Sequence, residues 1–221
     1  MAPIYFTSRS PVGQCVDAQI AGTVSELPDD ERERVTRDLR AIASVYDAAA
    51  AAAKDAAASK ELTPLGQREA IKRAITAAVG QLTTHDATVA TLRETAAATR
   101  AKALEVPSER TPEALMLERE VRDRVANLDP LQVRVKYLTA VEQGDWLTVR
   151  ALEAAPSSFS QLTPALREQG SAAKLLRSPL APQVAAADAS SYVYATTAAT
   201  AKTELRKLAE RHGCRMPSEP T

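Results

Sequence analysis

Glycine, aromatic residues and cysteine are all scarce in this sequence, and each scarcity closes off a class of function. Only seven glycines occur in 221 residues, and no P-loop, dinucleotide fingerprint or Gly-x-Ser-x-Gly elbow is present to bind phosphates or present a nucleophile. Aromatics at 4% argue against sheets and aromatic-lined pockets. The two cysteines, Cys15 and Cys214, sit near opposite ends and make no disulfide framework. Free thiols are the default reading, ahead of a disulfide joining the termini. The only histidines are His85 and His212, neither in a strand-turn-helix elbow, so no catalytic residue is expected. His212, Cys214 and Met216 alternate near the chain end, but a structural zinc site needs four ligands, and no metal or cofactor is expected.

An excess of charge of one sign is missing as well. Lys plus Arg equals Asp plus Glu at 28 each, which leaves no net field to draw nucleic acid or an anionic membrane. Residues 1–20 show neither a basic n-region nor a continuous apolar run. No stretch approaches the ~18 apolar residues of a membrane helix. These absences predict a chain without a small-molecule substrate, a nucleic-acid partner or a membrane anchor, resident in a cytoplasm.

What is abundant is alanine at helical spacing. Val35, Leu39, Ile42, Tyr46, Ala49, Ala53, Ala56 and Lys60 alternate spacings of four and three, the a/d seam of a heptad. Ile71, Ile75, Ala78, Leu82, His85, Val89, Leu92, Ala96, Thr99 and Ala103 form a second seam of the same period. Between them lies Leu62-Thr63-Pro64-Leu65-Gly66, where Thr63 can cap a helix and Pro64 tolerates its first position. Residues 29–106 therefore read as a long antiparallel, coiled-coil-like hairpin. Two readings are open at Gly80 and Thr83-Thr84-His85-Asp86: a kink or fresh start with Thr83 as cap and Asp86 three residues on, or a continuous second helix, which the preserved heptad phase favours. Alanine pairs bury little area at ~25 cal/mol per Å², so the stretch containing Ala49, Ala53 and Ala56 is expected to need cover from another helix or a partner.

On either side the character changes. Residues 1–28 begin with the apolar cluster Ile4, Tyr5 and Phe6, followed by turn residues without a period, and read as an extended arm that lies along the rod or on another subunit. Residues 107–181 read as a cluster of short helices opened by a capping residue and a proline, at Thr111-Pro112, Asp129-Pro130 and Thr163-Pro164. Leu115, Val121, Val125, Leu128, Leu131, Val135, Leu138 and Val141 are its expected buried positions, with Trp146 as packing anchor. Residues 182–213 carry a third seam through Val184, Ala187, Ser191, Tyr194, Ala198, Ala201, Leu205, Leu208 and His212, predicted to return along the hairpin. A flexible tail, residues 214–221, follows. Glu118 to Arg124 alternates in sign like a solvated helix, and Lys202, Arg206, Lys207, Arg211 and Arg215 give the last long helix a basic end.

The segment Leu62 to Ala70, the long helix after it, and then Asp129-Pro130, Tyr137-Leu138, Gly144-Asp145-Trp146 and Glu153-Ala154-Ala155-Pro156 together resemble uncharacterised helical proteins encoded among the structural genes of tailed phages and prophages. The likeness covers roughly the middle of the chain and transfers no catalytic residues. It implies a virion-associated or assembly-associated role in the head, neck or tail region, in a virion or host cytoplasm. The function expected is that of a non-enzymatic structural protein making contacts in a symmetric assembly, as a homo-oligomer or with other virion proteins. Ile4, Tyr5, Phe6, Ala49, Ala53, Ala56 and Trp146 are the expected contact residues. The second reading is a soluble helical adaptor or regulatory module, whose short-helix cluster forms a groove for a partner helix.

Overall fold

Five helices of this chain begin where a side-chain oxygen meets the otherwise unpaired N–H groups of the first turn and a proline follows. Ser10, Thr111, Asp129 and Thr163 accept from the backbone N–H groups of Gly13, Ala114, Gln132 and Leu166, at 3.0, 3.1, 2.9 and 3.2 Å. Thr63 accepts from Gly66 in the same way, at 3.1 Å. In the computed structural model, which describes residues 10–107, 111–155 and 161–215, these signals set the architecture. Helix α1 (Pro11–Ala21) leads through a 3₁₀ turn (Thr23–Glu26) into α2 (Asp29–Ala58) and α3 (Pro64–Leu104). The shorter α4 (Pro112–Val125), α5 (Pro130–Gln143), α6 (Trp146–Glu153) and α7 (Pro164–Arg177) follow, and α8 (Ala181–Arg211) is the last. The protein is all-α, with no strand among the described residues.

The chain divides into unit 1 (Met1–Ala96 with Ala186–Thr221) and unit 2 (Ala97–Ala185). The division falls inside α3 and α8, and not at the proline-marked links near Pro107 and Pro182, which lie just past the end of α3 and at the start of α8. Within unit 1, α2 buries Val35, Leu39, Ile42, Tyr46, Ala49 and Ala53, and α3 buries Ile71, Ile75, Ala78, Leu82, Val89 and Ala96. These are members of the two heptad seams. Helix α3 is unbroken through Gly80 because Thr83 and Thr84 donate back to the carbonyls of Gly80 and Gln81, both at 2.6 Å, instead of capping a new helix.

Helix α8 shares that core through Val193, Tyr194, Ala201, Leu205 and Leu208. The Tyr194 hydroxyl donates to Asp38 at 2.5 Å and the Ser190 hydroxyl to Glu31 at 2.9 Å, while Lys202 pairs with Asp86 at 2.7 Å and Cys214 meets the Arg68 carbonyl at 3.7 Å. Residue numbers in these pairs rise together along α8 and α2 and run oppositely along α8 and α3. That is the order an antiparallel α2–α3 pair with a returning third helix produces.

Two expectations are corrected in unit 1. Pro11–Ala21, predicted within an extended arm, is an α-helix, and Thr23–Glu26 a 3₁₀ turn: Ser10 caps, Pro11 takes the first helical position, and Val12 and Val16 are buried in the unit's core. The turn-like Pro11-Val12-Gly13 is a helix start, and Ile4, Tyr5 and Phe6 lie outside the described residues, as do residues 216–221 of the tail. The buried face of α8 is also wider than the predicted seam, adding Ser190, Val193, Thr197, Glu204 and Ala209. The cause is an additional neighbour, since Cys15 of α1 reaches Thr200 at 3.7 Å.

Unit 2 is built around Tyr137, which is fully buried among Val125, Val133, Val141, Val149, Leu152 and Leu166. Gly144, at φ 71°, ends α5 in the left-handed conformation that glycine adopts without steric cost, and Asp145 at once caps α6 through the Thr148 N–H. Three predicted core residues, Leu115, Leu131 and Val135, are exposed. In their place α4 buries Ala114 and Glu118, and α5 buries Val133, Tyr137 and Ala140. The expected face holds at Val125 and Val141, which are buried, and at Val121, Leu128 and Leu138, which pack against the core; it fails at Leu115, Leu131 and Val135, where buried polar pairs turn a neighbouring stripe inward.

Candidate interaction surfaces

Glu118 is the clearest such case. It is 6% exposed, and a buried carboxylate is tolerated only with partners. Arg150 of α6 supplies one at 2.9 Å, Arg122 stands 4.0 Å away, and Arg150 also donates to the Pro107 carbonyl. The pair pulls α4 onto α6 by its polar side. Leu115, Met116 and Leu117 are left on the outside, at 53%, 67% and 47% exposure. A helix advances about 100° per residue, so three consecutive apolar side chains span about 200° and cannot all share a buried face. That run was the signal in the sequence for a surface patch.

A second polar cluster joins α5, α6 and α7. Glu153 accepts from the Tyr137 hydroxyl at 2.5 Å and from the Lys174 ammonium at 2.8 and 3.0 Å. Burial first, and then the hydrogen bond to Glu153, push the Tyr137 hydroxyl well above its ordinary value of 10.0, which keeps it a neutral donor. Tyr, Glu and Lys in contact are a chemically capable set that sequence spacing did not reveal. Their donors and acceptors are directed at one another, and Lys174 is itself buried.

The outer side of α5 presents Leu131 and Val135, one helical turn apart, at 68% and 59% exposure. A groove runs beside them toward the start of α6, lined also by Lys136, Thr139, Gln143 and Thr148. Unit 2 therefore displays an apolar run on α4 and an apolar-edged groove on α5. Leu176 of α7 is exposed as well.

The residues predicted to make contacts are distributed differently. Ala49 and Ala53 are buried in the core of unit 1 and Ala56 is packed against it, so the first two have no surface to offer a partner. They lie in a core that α8 shares, which is the cover that the thin alanine seam required. Trp146 is half-buried and packs on the core of unit 2, whose fully buried anchor is Tyr137. At the α2–α3 turn, Leu62 and Leu65 are exposed.

Among the candidate chemical groups, His85 is half-buried next to Asp86, whose carboxylate is held by Lys202. His212 lines a separate groove of unit 1, and Cys214 donates to the Arg68 and His212 carbonyls at 3.7 Å each. Met216 lies outside the described residues. Cys15 and Cys214 are free thiols. Cys15 sits at Thr200, about 16 Å of helix from Arg211 at ~1.5 Å per residue, which exceeds the reach of a disulfide. No group of three His, Cys, Asp or Glu among the described residues is arranged to hold a metal ion. No helix among them is long and apolar enough to cross a membrane. No family model, curated protein or solved structure matches this chain.

Proposed function

We propose that this chain is a non-enzymatic structural protein of a phage-like particle that works through protein–protein contacts in a symmetric assembly. The observation that carries this reading is the outward run Leu115-Met116-Leu117 on a helix whose inward face holds Glu118. Contiguous apolar surface of this kind is costly to leave in water and marks a contact site. The resemblance of the middle of the chain to helical products of phage structural genes supplies the setting, a virion or the host cytoplasm. Light scattering on the purified chain, together with mass spectrometry of purified particles, tests it. An oligomer in solution and the chain's presence in particles are expected. A well-folded monomer that is missing from particles overturns it.

The second reading, a helical adaptor, is favoured by the α5 groove. Leu131 and Val135 stand one turn apart on its edge, the spacing with which an amphipathic partner helix is met. A single stoichiometric partner that is retained by the native chain and lost by Leu131→Glu/Val135→Glu would support it.

A further inference from the structure

We propose that unit 1 carries a head-to-tail contact with a second copy of this chain, in which the acidic start of α2 seats in a basic groove at the far end of α2 and α8. The proposal deepens the assembly reading above by giving it an interface, and it rests on that reading.

The receiving groove lies between the alanine half of α2 and the last turns of α8, where Tyr46, Ala57 and Leu208 line it together with Lys54, Arg211 and His212. Lys54 belongs to α2 and Arg211 to α8, so cations border the groove from both helices. Both are exposed, and no ion pair among the described residues engages either. The carboxylate of Glu204 is taken up by Lys207 at 2.6 Å.

The opposite end of the same unit carries the complementary set. Glu26, Asp30 and Glu33 are exposed and likewise engaged in no ion pair among the described residues. Asp30 and Glu33 are three apart on α2 and so are surface neighbours. The arginines of that stretch are occupied, Arg32 with Asp29 at 3.1 Å and Arg34 with Glu31 at 3.3 Å.

Geometry makes the match intermolecular. About 36 Å of continuous helix separates Asp30 from Lys54 at ~1.5 Å per residue, so the two ends of one chain never meet. A copy displaced along the helix axis brings free carboxylates to free cations, while acid against acid or base against base repels. In the head-to-tail arrangement proposed, each copy gives its acidic turn to one neighbour and its groove to another, so the contact repeats, closing into a ring or extending as a filament. Balanced overall charge, 28 of each sign, removes the net repulsion that would oppose such stacking.

Sedimentation velocity of the full chain over a concentration series is the test, at about 10 mM and about 1 M NaCl, where the screening length falls from about 30 Å to about 3 Å. Concentration-dependent association at low salt and its loss at high salt are expected. Two double variants, Lys54→Glu/Arg211→Glu and Asp30→Lys/Glu33→Lys, are each expected to weaken association by about tenfold or more. Both variants should stay folded with melts lowered only slightly, since all four side chains are exposed while Asp30 and Arg211 complement the ends of α2 and α8. An equimolar mixture should associate again, because one variant keeps the groove and the other keeps the acidic turn. Native-like association of either variant, or failure of the mixture to associate, overturns this interface. If both variants keep the native oligomer mass, the interface falls and the assembly reading stands. A native chain that is monomeric at low salt and missing from particles removes both.

Discussion

Gly170 of α7 lies directly against the ring and hydroxyl of Tyr137, so close that a Cβ at position 170 would overlap the Tyr137 hydroxyl and ring carbons. Tyr137 has nowhere to move, being fully buried and held by Glu153 at 2.5 Å. Two effects oppose each other in Gly170→Ala. Helix propensity favours alanine by about 1 kcal/mol, whereas forced repacking costs about 1–3 kcal/mol and displacing a hydrogen bond to a charged group about 1.5–3 kcal/mol more. Net destabilisation of about 2 kcal/mol or more is expected in urea unfolding, with loss of the near-ultraviolet tyrosine signal. A more stable Gly170→Ala chain would show that the contact is not made.

The Lys174–Glu153 pair makes a related prediction with a different signature. Lys174 is 7% exposed, so Glu153→Gln leaves an ammonium in the interior with only neutral partners. Breaking one side of a buried pair costs about 3–5 kcal/mol. Lys174→Met alone leaves Glu153, which is more exposed and keeps the Tyr137 hydroxyl, and should cost less. The double variant should recover part of the Glu153→Gln loss. A double-mutant cycle by chemical denaturation measures the coupling, and strict additivity would refute it.

Much of the fold was legible because it rests on local rules. Thr63, Thr111, Asp129 and Thr163 cap as their side-chain chemistry requires, and Val35, Leu39, Ile42 and Tyr46 are buried at the spacing that first marked them. The short-helix cluster was less legible because its facing is set by partners far along the chain. Glu118 meets Arg150 and Tyr137 meets Glu153, and no local period carries that information. Leu115, Leu131 and Val135 fit an apolar period equally well on the wrong face. For α8 the missing information was a neighbour: with residues 11–26 read as an arm, nothing indicated that a second side of α8 would be covered.

Alkaline pH tests Tyr137 and Tyr194 together, the two of the three buried tyrosines among the described residues whose hydroxyls are held by carboxylates; burial raises Tyr46 as well. Burial, and then hydrogen bonding to Asp38, raise the Tyr194 hydroxyl above 10.0, as burial and Glu153 do for Tyr137. A tyrosine whose folded-state value is raised contributes stability that is fully present below the unfolded value and is lost as pH rises through the folded one. Above pH 10 the unfolded chain releases these protons while the folded chain retains them, so stability falls. Unfolding free energy measured from pH 8 to 11 should be flat and then decline. Tyr194→Phe/Tyr137→Phe should be less stable at pH 8 and decline less steeply above pH 10. An unchanged slope in that variant would assign the decline to other groups.

The alanine half of α2 gives a prediction that separates cover by the chain itself from cover by a partner. Ala53 is fully buried, whereas Ala51, two positions away, is exposed. Leucine adds three carbons at either site and both residues favour helix, so propensity changes little. At Ala53 the added volume must enter a seam already closed within unit 1, at a cost of about 1–3 kcal/mol. At Ala51 it projects into water and should change stability by no more than about 0.5 kcal/mol. Thermal unfolding of the two variants in dilute solution, with no partner present, compares them directly. If Ala53→Leu were as benign as Ala51→Leu, the seam would be open in the isolated chain, and its cover would have to come from another molecule.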